Sequence, residues 1–561
     1  MKSTVKTLFL LCLSCAVPPC LKSQTTADID SIFTNKTEVI FKFVEPDKDK
    51  VNQLSEIISI DRLHNDTVTA YANKEEFTAF AALSYPYHIY SKPEQKYVNM
   101  ATTTADMFDW DKYPTYDVYL ELMQYYADNY PNICKLDTIG TSVKGRLILS
   151  MQLSTRLNAD TTLPKFFYSS TMHGDEVTGY YFMLRLIDTL VNGVENDVQI
   201  QNILSSSIVY INPLSNPDGT YYSGDNSVSG SIRYNANRKD LNRNYPDPFS
   251  NTSSVSLQPE NKAMIEYAVK HHFTMAANLH GGAEVLNFPW DSYRSSTKKH
   301  ADHNWWVEVC KRFVNTCRQV DSEAYSTDFT KGYTAGGDWY VIRNGRQDYM
   351  NHTLRMREMT IEVSLGKTLP SNMLQQYWNT QCNALINYME EMQRCIRGIV
   401  VDKDTKQRIE GAIVAIANHD RENSEVTTNG TGHFFHPIDE GEYTLTISAE
   451  GYVTKQTDAI TVAYPNTETI VVEMEKSPTP TDTTTAMLFP NPCTDYVEIA
   501  SHKAIDSYII VSASGNTVAN ATTTAGKTLR INITHLSEGV YFLKMYSGGR
   551  QIADTFTFIK Q

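Results

Sequence analysis

The chain has 561 residues, 41% of them hydrophobic and 20% charged, with a formal net charge of −14. That composition belongs to a globular protein of several domains and excludes a chain that cannot build a core. The acidic balance has no basic stripe beside it, which excludes a nucleic-acid partner, and beyond the N-terminus no run is long and apolar enough to span a membrane as a helix.

In chain order, Lys2 and Lys6 precede the apolar run Leu8 to Val17 and then Pro18 and Pro19, the pattern of a secretory signal peptide over residues 1–24. Cys12, Cys15 and Cys20 fall in that segment. Export permits disulfides among Cys134, Cys310, Cys317, Cys382, Cys395 and Cys493, and their spacing leaves the pairing open. Residues 25–105 then form a compact module: Glu38 to Phe43 reads as a strand, a helical stretch follows, and Thr102 to Thr104 end it in a polar run. Its place ahead of a larger domain reads as a propeptide or an inhibitory fold.

Residues 106–394 carry the chemistry. A helix opens this segment, with Val118, Tyr119, Leu122, Met123 and Tyr126 at helical spacing and a stop before Pro131. Lys165 to Met172 reads as a strand, Tyr180 to Val191 as a helix, and Phe273 to Leu279 and Met359 to Val363 as further strands. His173, Glu176, His280 and Glu362 lie in or just beyond those strands, and polar groups at the ends of several strands mark an α/β sheet. The expected fold is a mixed, mainly parallel twisted sheet flanked by helices.

Two imidazoles and a carboxylate, His173, Glu176 and His280, suit a catalytic zinc, one per chain. Such an ion keeps three N/O protein ligands and leaves one tetrahedral position for water, whose pKa falls towards neutrality. A His and a Glu three residues apart reach one ion where a strand ends and turns into a helix, and the flanking sequence fits that turn.

With His173-Gly174-Asp175-Glu176, Asp240-Leu241-Asn242-Arg243-Asn244, His280-Gly281-Gly282 and Thr360-Ile361-Glu362-Val363-Ser364 in that order, the chain resembles the zinc carboxypeptidases, in the branch of carboxypeptidases D, N and E, over roughly residues 108–392. The spacings from Glu176 to His280, Arg233 to Asn242 and Tyr340 to Glu362 are those of that branch. The resemblance implies that Glu362 is the general base and then acid, and that Arg233 polarises the scissile carbonyl. It implies that Asn242 and Arg243 hold the substrate's terminal carboxylate, that Tyr340 closes over the terminal residue, and that Asp240 sets the tautomer of His173. Asp291 and Gln347 match positions that line a pocket for a C-terminal Lys or Arg, where a carboxylate and an amide oxygen satisfy a cation. Arg346 places a further cation beside that pocket, which would weaken a preference for basic ends.

After Cys395 the sequence turns to short alternating strands such as Ile396 to Val401, Gly411 to Ala417 and Gly441 to Ile447, a β-sandwich over residues 395–476. It resembles the transthyretin-like domain that follows the catalytic unit in carboxypeptidases D, N and E, with His419, His433 and His436 as surface or packing residues. A Pro- and Thr-rich linker over 477–485 precedes a last β-rich unit, 486–561. There Leu488-Phe489-Pro490-Asn491-Pro492 and Leu536 to Phe542 resemble the C-terminal sorting domain of the bacterial type IX secretion system. That implies export across both membranes to the cell surface or beyond, with the secretion machinery as a partner. The function so read is removal of a C-terminal residue, Lys or Arg, from peptides and proteins with a free C-terminus. Two rivals stand beside it: an amidase of cell-wall peptides, against which Asp291 and Gln347 speak, and a non-catalytic surface binding protein, against which Glu362 and the three ligands speak.

Overall fold

The computed structural model describes residues 26–90, 97–157, 162–250, 255–464, 468–477, 486–552 and 555–561. The signal segment 1–24 and all of the linker except Ser477 lie outside them. The chain forms two compact units, one reaching to residue 450 and taking in 454–474, the other made of 451–453 and 475–561.

The first unit begins with helix α1 (Thr26–Ile32) and a four-stranded sheet of β1 (Val39–Val44), β2 (Ser59–His64), β3 (Thr67–Ala72) and β4 (Tyr87–Tyr90), in the order β2-β3-β1-β4. Helices α2 (Lys48–Leu54) and α3 (Lys74–Ala81) complete it. Asn73 starts α3 with a reciprocal capping box: its side chain accepts from Glu76 N while the Glu76 carboxylate accepts from Asn73 N. Phe41, Phe43, Phe77 and Phe80 make the core of this module, which continues without a break into Ala283, Val285, Trp339, Tyr340 and Ile342 of the next domain.

The central domain opens with α4 (Tyr116–Asn129), capped by the Thr115 hydroxyl and burying Val118, Tyr119, Leu122, Met123 and Tyr126. An eight-stranded sheet follows. Its strands are β5 (Cys134–Thr141), β6 (Leu147–Leu153), β7 (Lys165–Ser170), β8 (Ile208–Asn212), β9 (Met275–His280), β10 (Ala283–Phe288), β11 (Tyr333–Ala335) and β12 (Arg357–Ser364), in the order β11-β10-β12-β9-β7-β8-β6-β5. The β7/β8, β7/β9, β9/β12 and β10/β11 pairs are parallel, and the pairs β5/β6, β6/β8 and β10/β12 are antiparallel. Because side chains alternate along a strand, Phe166 and Tyr168 of β7 pack under α5 (Thr178–Gly193) and α8 (Leu374–Glu390), while Phe167 packs against α6 (Pro259–His271) on the opposite face. Helix α7 (His303–Arg318) adds Trp306, Cys310 and Phe313 to the first of these cores. The middle strands are buried on both faces, which explains their nearly continuous apolar sequence.

The β-sandwich that closes the first unit pairs Cys395–Asp402 with His433–Pro437 and Thr469–Met474 in one sheet, and Ile413–Ile416 with Val426–Thr427 and Leu445–Ser448 in another. The strand expected over Gly441 to Ile447 is in fact two. Gly441–Tyr443 pairs with Ile460–Val462, whereas Leu445–Ser448 pairs with Ile413–Ile416. Between them the Thr444 carbonyl accepts from Ala417 N, so one apolar run crosses between sheets. In the second unit, Tyr496–Ser512 pairs with Ala486–Phe489, Thr517–Asn532 and Gly539–Ser547 over a core that includes Val497, Ile510, Leu543 and Phe558.

Candidate metal centre and substrate site

The site sits at the carboxyl edge of the sheet. Strand β7 ends at Ser170, His173 and Glu176 lie in the turn, and α5 begins at Thr178. His280 closes β9 and is the register partner of Glu362 on parallel β12, so one imidazole and the candidate base stand side by side on neighbouring strands.

Nitrogen and carboxylate atoms of His173, Glu176 and His280 converge within 4.8 Å of one another, all buried. The two Nδ1 atoms face each other at 3.1 Å, with Glu176 Oε1 3.0 Å from His173 Nδ1 and Oε2 2.8 Å from His280 Nδ1. Two imidazole nitrogens turned towards one carboxylate fit a zinc ion, which takes the lone pairs of both. The remote nitrogens are held as well: His173 Nε2 lies 3.1 Å from Asp240 Oδ1, and His280 Nε2 lies 2.6 Å from the Asn278 amide. Asn278 carried no signal in the sequence beyond its place two residues before His280.

Arg233 is buried and makes three ionic contacts through its guanidinium: to Asp240 Oδ2 at 3.1 Å, and to Glu176 Oε1 and Asp61 Oδ1 at 3.3 Å each. Burial alone would raise the Asp240 carboxyl, but Arg233 and His173 hold it well below the usual range. Glu362 is half-buried, and its buried Oε2 has no partner among the described residues. Burial first, then the carboxylates of Glu176 and Asp61, push its carboxyl well above the usual range.

Asn242 Oδ1 accepts from Arg346 N at 2.9 Å. Arg243 donates from Nη1 to its neighbour's carbonyl at 3.0 Å, while its buried Nε and Nη2 have no partner among the described residues. Two orphan donors on one planar group suit a carboxylate. Asp291 accepts from Gln347 Nε2 at 2.7 Å, and the Gln347 oxygen accepts from Thr360 N at 2.9 Å. Gln347 thus ties the Asp291 carboxylate to β12.

Arg346 does not enter the pocket. Its guanidinium forms a two-point pair with Glu358 at 2.9 and 2.8 Å, fully buried, which neutralises the cation expected beside the pocket. Tyr340 does not stand over an open subsite either: its hydroxyl donates to Ile60 O of β2 at 3.2 Å.

The N-terminal module supplies the residues that the sequence did not signal. Asp61 of β2 reaches Arg233 and also Lys367 Nζ at 2.6 Å, and Lys367 lies 3.0 Å from Glu176 Oε1. Ser59 Oγ donates to Asp240 Oδ2 at 2.7 Å, Tyr71 OH donates to Asp175 at 2.8 Å, and Glu38 accepts from Arg233 N at 3.0 Å. Between His173, Glu176, Arg243, Tyr340, Glu362 and Asp61 about 20 Å³ of open space is left, room for about one water and not for an amino-acid residue.

A zinc carboxypeptidase family model matches residues 119–384, a carboxypeptidase regulatory-like domain 395–475, and a secretion system C-terminal sorting domain 487–559. Carboxypeptidase M of Mus musculus is 31% identical over 353 residues, covering 59% of this chain and 77% of that protein. Carboxypeptidase D of Mus musculus is 30% identical over 62% of this chain, but the chain spans only 25% of that longer protein. The catalytic chain of carboxypeptidase N from Homo sapiens is 28% identical over 60% of this chain and 80% of its own length. The chain belongs to the zinc carboxypeptidase family. Among the described residues no helix is long and apolar enough to cross a membrane.

Proposed function

We propose that this protein is an exported exopeptidase that removes a C-terminal Lys or Arg from peptides, and that residues 25–105 are a propeptide that covers the site until it is removed. The observation that carries the first part is Arg243, whose orphan donors lie in one cavity lining with His173, Glu176, His280 and the Asp291 carboxylate. Bound by His173, Glu176 and His280, zinc supplies a water of lowered pKa and a Lewis acid.

The residues of the chain divide the remaining work. Arg243, with the amide of Asn242, grips the terminal carboxylate and sets the scissile bond one residue inward. Arg233 carries a fixed positive charge and stabilises the oxyanion without giving up a proton. Glu362 takes the proton of the attacking water on Oε2 and returns it to the leaving amine. Asp240 orients His173 and Arg233 at once. Asp291, oriented by Gln347, meets the cationic end of the substrate side chain.

The covering role of the N-terminal module is supported by Asp61, which takes up Arg233, and by the small space left around the ligands. Residues 487–559 match a sorting domain, which supports export through the type IX pathway. Cleavage of a peptide series varied only at its last residue tests the main reading. The expected result is release of single Lys or Arg residues and no internal cuts; endoproteolysis, or cleavage of amide-blocked ends, would sink it. Deleting residues 486–561 is expected to leave active enzyme in the periplasm, and normal release of the truncated protein would remove the sorting role.

A further inference from the structure

Two buried carboxylates stand together behind the terminal side-chain pocket. Asp348 is 1% exposed and Asp291 2%, and among the described residues neither has a Lys, Arg or His at salt-bridge distance. The closest guanidinium in sequence, Arg346, is closed off by Glu358.

Asp348 uses both oxygens on consecutive backbone amides: Oδ1 accepts from Asp291 N and Oδ2 from Ser292 N, each at 2.8 Å. These are the residues at which the chain turns away from β10. The turn is tied at two more points, since Ile342 N donates to Asp291 O at 3.0 Å and Ser292 Oγ donates to Ile342 O at 3.1 Å. The Asp291 side chain lies against glycines: a Cβ on Gly336 would stand 1.8 Å from Asp291 Oδ1, and one on Gly345 would stand 3.7 Å from Oδ2. Gln347 and Asp348 are adjacent in sequence and hold Asp291 from two sides, one through its carboxylate and the other through its backbone.

We propose that Asp348 is a positioning residue for substrate specificity: by bracketing the Asp291 and Ser292 amides it fixes the carboxylate that meets a C-terminal Lys or Arg, and it places a second negative charge behind it. This rests on the basic-pocket reading above. Asp348 has both oxygens engaged, so it acts through Asp291 and does not touch the substrate. Two dry carboxylates of like charge disfavour each other's ionised form, and burial pushes the Asp348 carboxyl up to about 6. A cationic side chain entering beside Asp291 relieves that conflict, whereas an aliphatic one leaves it in place.

The test compares peptides that differ only in a terminal Arg or Leu, using the active enzyme as producing cells release it, with wild type, Asp348→Asn and Asp348→Glu. Zinc content and melting temperature are read on each protein. In Asp348→Asn the amide nitrogen faces a backbone N–H and the charge is gone, so KM for the Arg peptide is expected to rise about tenfold or more with kcat within about twofold. The Leu peptide is expected to keep its kcat/KM, and zinc to stay at one per chain. Asp348→Glu keeps the charge but displaces the bracket, and a smaller loss confined to the Arg peptide is expected. If Asp348→Asn does not fold, the Glu variant decides.

A wild type that prefers Arg, with variants of unchanged Arg-to-Leu ratio, overturns the role of Asp348 alone. Equal losses on both peptides make Asp348 merely structural and overturn it too. A wild type that prefers Leu overturns the basic-pocket reading and this inference with it.

Discussion

The Asp61 carboxylate lies 3.3 Å from Arg233 Nη1 and 2.6 Å from Lys367 Nζ, so a residue of the N-terminal sheet is ion-paired inside the metal centre of the next domain. On the proposed reading Arg233 stabilises the oxyanion, and the Asp61 carboxylate competes for the same guanidinium.

The intact chain is therefore expected to turn over slowly, and cleavage that releases residues up to about 105 to raise kcat/KM. Replacing Asp61 with Ala removes the ion pair and leaves the apolar contact of Val285 and Ile342 with the module. Basal activity of the intact chain should rise by about one to two decades. Equal activity of the intact and cleaved wild type would show that the module is a retained domain and not a cover.

Purified protein is expected to carry one zinc per chain. His173→Ala or His280→Ala should lose both metal and activity, because two remaining ligands hold zinc poorly. Glu362→Gln separates the roles: metal content should be unchanged while kcat falls by about two to four decades. Metal analysis beside steady-state kinetics checks this, and loss of zinc in Glu362→Gln would make that residue structural.

On the proposed basic-pocket reading, Asp291→Ala takes away the counter-charge of the substrate side chain, and truncating one member of such a buried pair costs on the order of 3 to 5 kcal/mol. Activity on Lys and Arg ends should fall by two decades or more, while the slow activity on neutral ends holds or rises. An amide-blocked C-terminus should depress every substrate, since it removes the charge proposed to pair with Arg243.

Arg346 and Glu358 form a closed pair with no route to the substrate. Glu358→Gln strands a buried guanidinium, so stability should fall by about 3 kcal/mol or more by chemical denaturation. The preference between Lys and Leu ends in the surviving folded protein should not move. A changed preference would place Arg346 back in the pocket.

His419 of the β-sandwich stands between Asp420, with Nδ1 3.0 Å from Oδ1, and Asp302 of the central domain, with Nε2 3.6 Å from Oδ1. The Asp420 hydrogen bond, helped by Asp302 and opposed by burial and Arg357, raises its pKa. A raised folded-state pKa means stabilisation that is full below the unfolded value and is lost as pH rises through the folded one. Melting of His419→Gln against wild type should show the larger deficit at acidic pH and a smaller one at alkaline pH. A deficit independent of pH would refute the charged bridge.

Much of the site was legible because its parts are local. His173 and Glu176 sit in one strand-to-helix turn, and His280 and Glu362 in or at the end of runs whose apolar periodicity marks them as buried strands. The sheet order, the crossing of Gly441 to Ile447 between two sheets and the fate of Arg346 were not legible, since each depends on which strand lies beside which. Arg346 is expected beside the pocket because it precedes Gln347 in sequence; in the fold, Gln347 turns to Asp291 and Arg346 to Glu358, since adjacent residues of a short helical turn point to different sides.

By itself the sequence singled out His173, Glu176 and His280, which the fold brings together, and the order of the matched domains, because residue types and spacings survive any detail of packing. The tertiary structure alone decided that Asp61 enters the metal centre, that Asp348 brackets Asp291, and that Glu358 removes Arg346 from the pocket. Each of these joins groups whose sequence separation says nothing of their distance. In a buried site of low dielectric, that distance sets whether two charges attract, repel or leave a place for a third.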